Sequence, residues 1–132
     1  PNIFGSFFYF FLLDFSRLLA YKDPATSVSS ALMKALDYIN YNYFSPITMD
    51  ELCSVSGVTK QHLCLLFRKK LSMRPMEYIA KRRIQEAKAL LTGTEKSIEQ
   101  VAEETGFCSE SYFCKLFKRY EGMTPSAFRQ IK

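Results

Sequence analysis

The chain has 132 residues, 48% of them apolar, with only five glycines and five prolines, which excludes disordered and collagen-like classes and leaves one domain, or one domain with an appendage. A net charge of +5 and a pI near 9.1 favour an acidic partner. Cys53, Cys64, Cys108 and Cys114 form no Cys-x-x-Cys pair and His62 is the sole histidine, so no zinc site, no secreted disulfide framework and no Ser/His/Asp or Cys/His centre can be assembled.

The expectation is a cytoplasmic protein that is not an enzyme and needs no metal or cofactor. No stretch of about 20 apolar residues is present, so no membrane partner is expected. In chain order, residues 3–19 are unusually aromatic. Phe4, Phe7, Phe8, Phe11, Phe15, Leu18 and Leu19 fall at helical spacing, with Phe10, Leu12 and Leu13 on the other side. This pattern predicts a helix that is apolar on most of its circumference. Two placements stand open for it: docking on a missing upstream domain or a second subunit as a homodimer contact, or packing on its own domain. The opening Pro1-Asn2, with no methionine and no basic leader, is expected to mark a fragment of a longer protein. Tyr21 to Ser30 is polar, contains Pro24 and reads as a linker.

From Ser30 a second helix places Leu32, Leu36, Ile39 and Tyr43 on one face and stops before Phe44-Ser45-Pro46. Thr48-x-x-Glu51 and Ser97-x-x-Gln100 both read as capping boxes that start new helices. After Gly57 and Gly106, which suit turns, Thr59 and Ser109 can cap the next helices. Pro75 and Pro125 suit the first turns of the helices that follow, where a missing N–H does no harm. Ala80, Ile84, Ala87 and Leu91 lie at helical spacing, and Gly93 is the expected stop. A connector over 75–91 would be roughly 25 Å long at 1.5 Å per residue. No strand alternation occurs, so the class is all-α, with seven or eight helices: two helix-turn-helix subdomains joined by a long linker helix, plus the extra N-terminal apolar helix. The predicted division is 1–28 for the end of an upstream sensing or dimerisation domain and its linker. Residues 29–132 then form a second domain, with helix-turn-helix units at about 48–70 and 97–120.

The two units repeat one another. Gly57 to Pro75 is a weaker copy of Gly106 to Pro125, offset by 49 residues at the glycine and by 50 from Thr59 and Ser109 onward. One residue is therefore inserted in the second turn. Leu52, Val58, Leu63, Leu66 and Phe67 are expected to clamp the first pair of helices, and Val101, Phe107, Phe113, Leu116 and Phe117 the second. Lys60, Gln61, Cys64, Leu65 and Arg68 then face outward in the first copy, with Glu110, Ser111, Cys114, Lys115 and Lys118 outward in the second. In a helix-turn-helix the first helix braces across the phosphate backbone, and the N-terminal residues of the second reach base edges in the major groove. Charge supports that reading. Residues 60–88 carry nine bases against two acids, a net of +7, whereas Glu95, Glu99, Glu103 and Glu104 oppose only Lys96 before the second turn. For each basic residue alone, a solvated surface charge is the alternative.

The second copy carries the most specific pattern: Ser97-Ile98-x-x-Val101-Ala102-x-x-x-Gly106-Phe107-x-Ser109-x-Ser111-Tyr112-Phe113-x-Lys115-x-Phe117-Lys118-Arg119, then Gly122-Met123-Thr124-Pro125-x-x-Phe128-Arg129. It resembles the AraC/XylS family of bacterial transcription regulators, over about Ser30 to Lys132. The resemblance implies a seven-helix domain whose two recognition helices enter successive major-groove segments of double-stranded DNA. It also implies an upstream ligand-sensing or dimerising domain, and activation through RNA polymerase. On this basis Lys60, Gln61, Cys64, Leu65, Glu110, Ser111, Cys114 and Lys115 are candidate base readers, Lys115 for guanine O6/N7 and Leu65 for thymine methyls. Thr48, Thr59, His62, Arg68, Arg83, Ser109, Lys118 and Arg119 are candidate phosphate contacts, which set register without reading sequence. Where relatives often place a long polar side chain on the first recognition helix, this chain has Cys64-Leu65. A thiol-sensing role for Cys64 and Cys114 competes with simple small-residue packing. A protein-interaction module with a drifted DNA face is the competing reading of the whole.

Overall fold

The computed structural model describes residues 26–131, with side chains from Ser30 onward; the Phe-rich segment 3–19 and its two placements lie outside them. Seven helices are present among the described residues: α1 (Thr26–Asn42), α2 (Met49–Ser56), α3 (Lys60–Leu71), α4 (Pro75–Gly93), α5 (Ile98–Glu104), α6 (Glu110–Glu121) and α7 (Pro125–Gln130). The all-α class and the two helix-turn-helix units are as expected. Helix α1 begins inside the stretch expected to be linker, because after Pro24 nothing in Thr26 to Ser30 breaks a helix. Its buried stripe is Ala31, Leu32, Ala35, Leu36 and Ile39. Tyr43 lies past its end, in the loop.

Hydroxyl caps start five of the helices. Thr48, Thr59, Ser97, Ser109 and Thr124 each accept a hydrogen bond from the backbone N–H three residues on. Only Ser97 completes the capping box, with the Gln100 side chain accepting from the Ser97 N–H at 3.0 Å. The box expected at Thr48 is half made. Glu51 instead accepts from the Tyr38 hydroxyl at 3.0 Å, because α1 packs across α2 and offers a better donor than the cap backbone. Gly93 is also not the expected left-handed stop. It is the last residue of α4, and Thr94 ends the helix in extended conformation with its N–H and hydroxyl both donating to the Leu90 carbonyl, at 3.1 and 2.6 Å.

Two cores result, and α4 belongs to both. Its N-terminal half adds Tyr78 and Ile79 to a cluster with Leu36, Ile39, Leu52, Leu63, Leu66 and Phe67. Its C-terminal half adds Ile84, Ala87 and Leu91 to a cluster with Val101, Phe107, Phe113, Leu116 and Phe117. Val58 packs on the first cluster only partly buried. The second is the more aromatic: Phe107, Phe113, Phe117 and Phe128 follow one another with ring centroids 4.9 to 5.7 Å apart. The Phe113–Phe117 and Phe117–Phe128 contacts are edge-on, an arrangement that adds about 0.5–1.5 kcal/mol each beyond simple burial.

Candidate nucleic-acid interface

Each unit presents the N-terminal turns of its second helix in the same way. In α3, Leu63, Leu66 and Phe67 turn inward, which leaves Lys60, Gln61, Leu65, Arg68, Lys69 and Lys70 exposed and His62 and Cys64 half-buried. In α6, burial of Phe113, Leu116 and Phe117 leaves Glu110, Ser111, Tyr112, Lys115, Lys118 and Arg119 exposed. Cys114 is half-buried against the second core. Burial pushes its thiol pKa up, and the nearby Glu110 charge adds to the shift. Both cysteines thus sit at the edge of the outward face of their helix, not at its crest. All four cysteines are free.

The capping residues serve the same surface. Thr48, Thr59 and Ser109 are exposed, and each side-chain oxygen accepts from a first-turn N–H at 3.1 to 3.2 Å. A hydroxyl used in this way still has its own O–H to donate. It also sits at the positive end of a helix dipole, where an anion is favoured.

Three bases of the 60–88 run are engaged within the fold. Arg83, expected on phosphate, is partly buried. Its Nε donates to the Tyr43 carbonyl at 2.7 Å and its Nη2 to the Ser45 carbonyl at 2.9 Å, and burial lowers its pKa. Arg82 donates to Asn40 at 3.1 Å, pairs with Glu86 at 2.6 Å and lies 4.4 Å over the Tyr43 ring. Lys88 is 5% exposed and pairs with Glu121 at 2.6 Å. The basic surface is consequently smaller than the +7 count. The signal was present in the helix period. Residues 83 and 88 fall one helical turn from Ala87 and Ile84 on the inward stripe of α4, where a base must find a partner. Tyr112, the counterpart of His62 in the repeat and part of the pattern but not of the expected contacts, is exposed on the same helix as Lys115.

Two helix-turn-helix units mounted on one shared helix define a double helix-turn-helix DNA-binding domain. A family model described as a helix-turn-helix domain matches residues 52–131. The chain belongs to the AraC-type helix-turn-helix family, a family of transcription regulators and not of enzymes. It is 38% identical over 101 residues to the HTH-type transcriptional activator AarP of Providencia stuartii, covering 76% of this chain and 75% of that protein. It is 32% identical over 114 residues to an uncharacterized HTH-type transcriptional regulator, YijO, of Escherichia coli, covering 86% of this chain and 40% of that one. Among solved structures, an AraC-type regulator from Chromobacterium violaceum superposes with a TM-score of 0.71 at 29% identity, over 76% of this chain and 89% of that one. The chain spans 31 to 40% of the length of four curated relatives, YijO among them. No helix among the described residues is long and apolar enough to cross a membrane.

Proposed function

We propose that α3 and α6 lie in successive major-groove segments of one duplex and read it with their N-terminal turns. The observation that carries this is the matched register of the two faces. Lys60, Gln61 and Leu65 on one, and Glu110, Ser111 and Lys115 on the other, stand exposed beside the capping hydroxyls of Thr59 and Ser109. Lys115 suits guanine O6/N7, Gln61 suits adenine, Glu110 accepts from cytosine N4, and Leu65 packs on thymine methyls. Cys64 and Cys114 flank these readers. Thr48, Thr59, His62, Arg68, Ser109, Lys118 and Arg119 take the phosphates.

This reading makes the chain the DNA-binding part of a cytoplasmic regulator with no reaction of its own to catalyse. Residues 1–28 would belong to an upstream sensing or dimerising domain and its linker, or supply a homodimer contact through 3–19. Like AarP by its name, the protein would activate transcription, through contact with RNA polymerase. Selection of bound duplexes from random DNA tests the reading. The expected product is a two-part motif with segments about 10 bp apart and an affinity that falls steeply with salt. Enrichment of no motif, or a single segment only, refutes it.

A further inference from the structure

The two units touch away from their shared helix, and the contact is unusually close. Gly106, in the turn between α5 and α6, has φ +93, and a Cβ there would lie 2.4 Å from the Tyr43 carbonyl oxygen and 3.0 Å from both Arg83 Nε and the Phe44 carbonyl carbon. Tyr43 and Phe44 belong to the loop between α1 and α2, in the other unit. That loop is held from α4: Arg83 takes the Tyr43 and Ser45 carbonyls, and the Arg82 guanidinium covers the Tyr43 ring. Gly57, in the equivalent turn of the first unit, has φ +75 but no atom within 4 Å of its would-be Cβ. The close approach is therefore no requirement of the turn itself, only of the junction.

A helix shared by two cores fixes one axis and leaves rotation about it opposed only by side-chain packing. A second attachment away from that axis removes the rotation. We propose that Arg83 and Gly106 are positioning residues that lock the two reading helices in one relative orientation and so fix the spacing of the DNA segments the chain accepts. The spacing clause rests on the DNA-reading function above; the lock itself does not.

Inserting one base pair between two segments turns the second by about 35° around the duplex and moves it about 3.4 Å. A locked pair of helices is expected to lose about tenfold in affinity for that insertion. The duplex used is the one enriched from random DNA by the unaltered full chain, alone and with one or two base pairs inserted. With Arg83→Ala or Gly106→Ala, discrimination between spacings is expected to shrink to about threefold or less, and Arg83→Lys, which still reaches a carbonyl, to restore part of it. Gly57→Ala also places a Cβ on a residue of positive φ but is expected to keep full discrimination. Residual dipolar couplings, measured without DNA, read the lock directly. One alignment tensor is expected to fit both units of the unaltered chain, and two distinct tensors those of Arg83→Ala and Gly106→Ala. A single tensor with unchanged spacing preference in both variants overturns the proposal, as does Gly57→Ala behaving like Gly106→Ala. If the unaltered chain enriches no two-part sequence, the DNA reading and the spacing clause fall together, and the tensors still decide the lock.

Discussion

Lys88 is the clearest case of a base that charge counting assigns to DNA and the fold assigns to the interior. Its side chain, 5% exposed, pairs at 2.6 Å with that of Glu121, which is 22% exposed, and its ammonium lies 5.6 Å from the Phe128 ring centroid. The two ends of the pair are unequal. In Lys88→Met the apolar stem remains and the carboxylate can turn to water, so the loss is expected to be within about 1 kcal/mol of zero. In Glu121→Ala the buried Lys88 side chain loses this carboxylate, a change expected to cost about 3 kcal/mol. At about 4–8 °C per kcal/mol for a domain near 100 residues, Tm should fall at least 10 °C for Glu121→Ala and only a few degrees for Lys88→Met. The double variant should resemble Lys88→Met, giving a coupling of about 2–3 kcal/mol. Thermal and urea unfolding followed by circular dichroism supply these numbers. A binding titration against salt supplies the functional half. Lys88→Met should leave the slope of log K against log salt unchanged, whereas Lys118→Ala should reduce it by about 1. Equal losses for the two single variants, or a Lys88→Met slope as shallow as that of Lys118→Ala, would refute the buried-pair argument.

On the second reading helix, Lys115→Ala should change the enriched base at one position of the selected motif, whereas Lys118→Ala should weaken all sequences by a similar factor; selection repeated with each variant separates the two. Ser72 ends α3 at φ +57, the one non-glycine described residue in that region, where its counterpart Gly122 sits at φ +78. Ser72→Gly should therefore stabilise the chain by about 0.5–1 kcal/mol in urea unfolding, and a loss would place the strain elsewhere. Cys108, the exposed thiol, should be alkylated first and Cys114 last, as peptide mapping of a time course would reveal. Because burial raises the Cys114 pKa above its ordinary 9.0, the folded chain keeps a proton that the unfolded chain releases. The resulting stabilisation is present below about pH 9 and lost as pH rises through the folded value. Between pH 8 and 10, Cys114→Ala should consequently lose less stability than the unaltered chain.

Local signals were the readable ones. A hydroxyl three residues before a free N–H, a proline at a first turn and apolar residues at helical spacing all act within about one turn of chain. The helix order, four of the caps and nearly all of both cores followed from them. What escaped depends on partners far along the sequence. Glu51 leaves its capping box for Tyr38, 13 residues away, and Arg83 turns to carbonyls 38 and 40 residues away. No local pattern names such a partner. The stripe on α4 does announce that residues 83 and 88 point inward, because charge acts by its place around the helix and not by its count along the chain.

The outward faces of α3 and α6 also differ in charge. α3 opens with Lys60 and Gln61, has no acid in its first turn and closes on Arg68, Lys69 and Lys70. Under the proposed reading, a face of this composition would attract any duplex and gain little from the right one beyond Gln61 and methyl contacts of Leu65. α6 opens with Glu110, which favours its own helix dipole but repels phosphate unless a cytosine or adenine amino group is there to meet it. An acid in that position lowers affinity for wrong sequences more than for right ones, which is how repulsion creates specificity. Lys115, on the same face one turn later, would then reward the correct guanine in the proposed reading. In the proposed reading the division of labour is electrostatic in origin: the first unit would supply grip through the bases of α3, and the second would supply choice because its leading charge is unfavourable away from its own site.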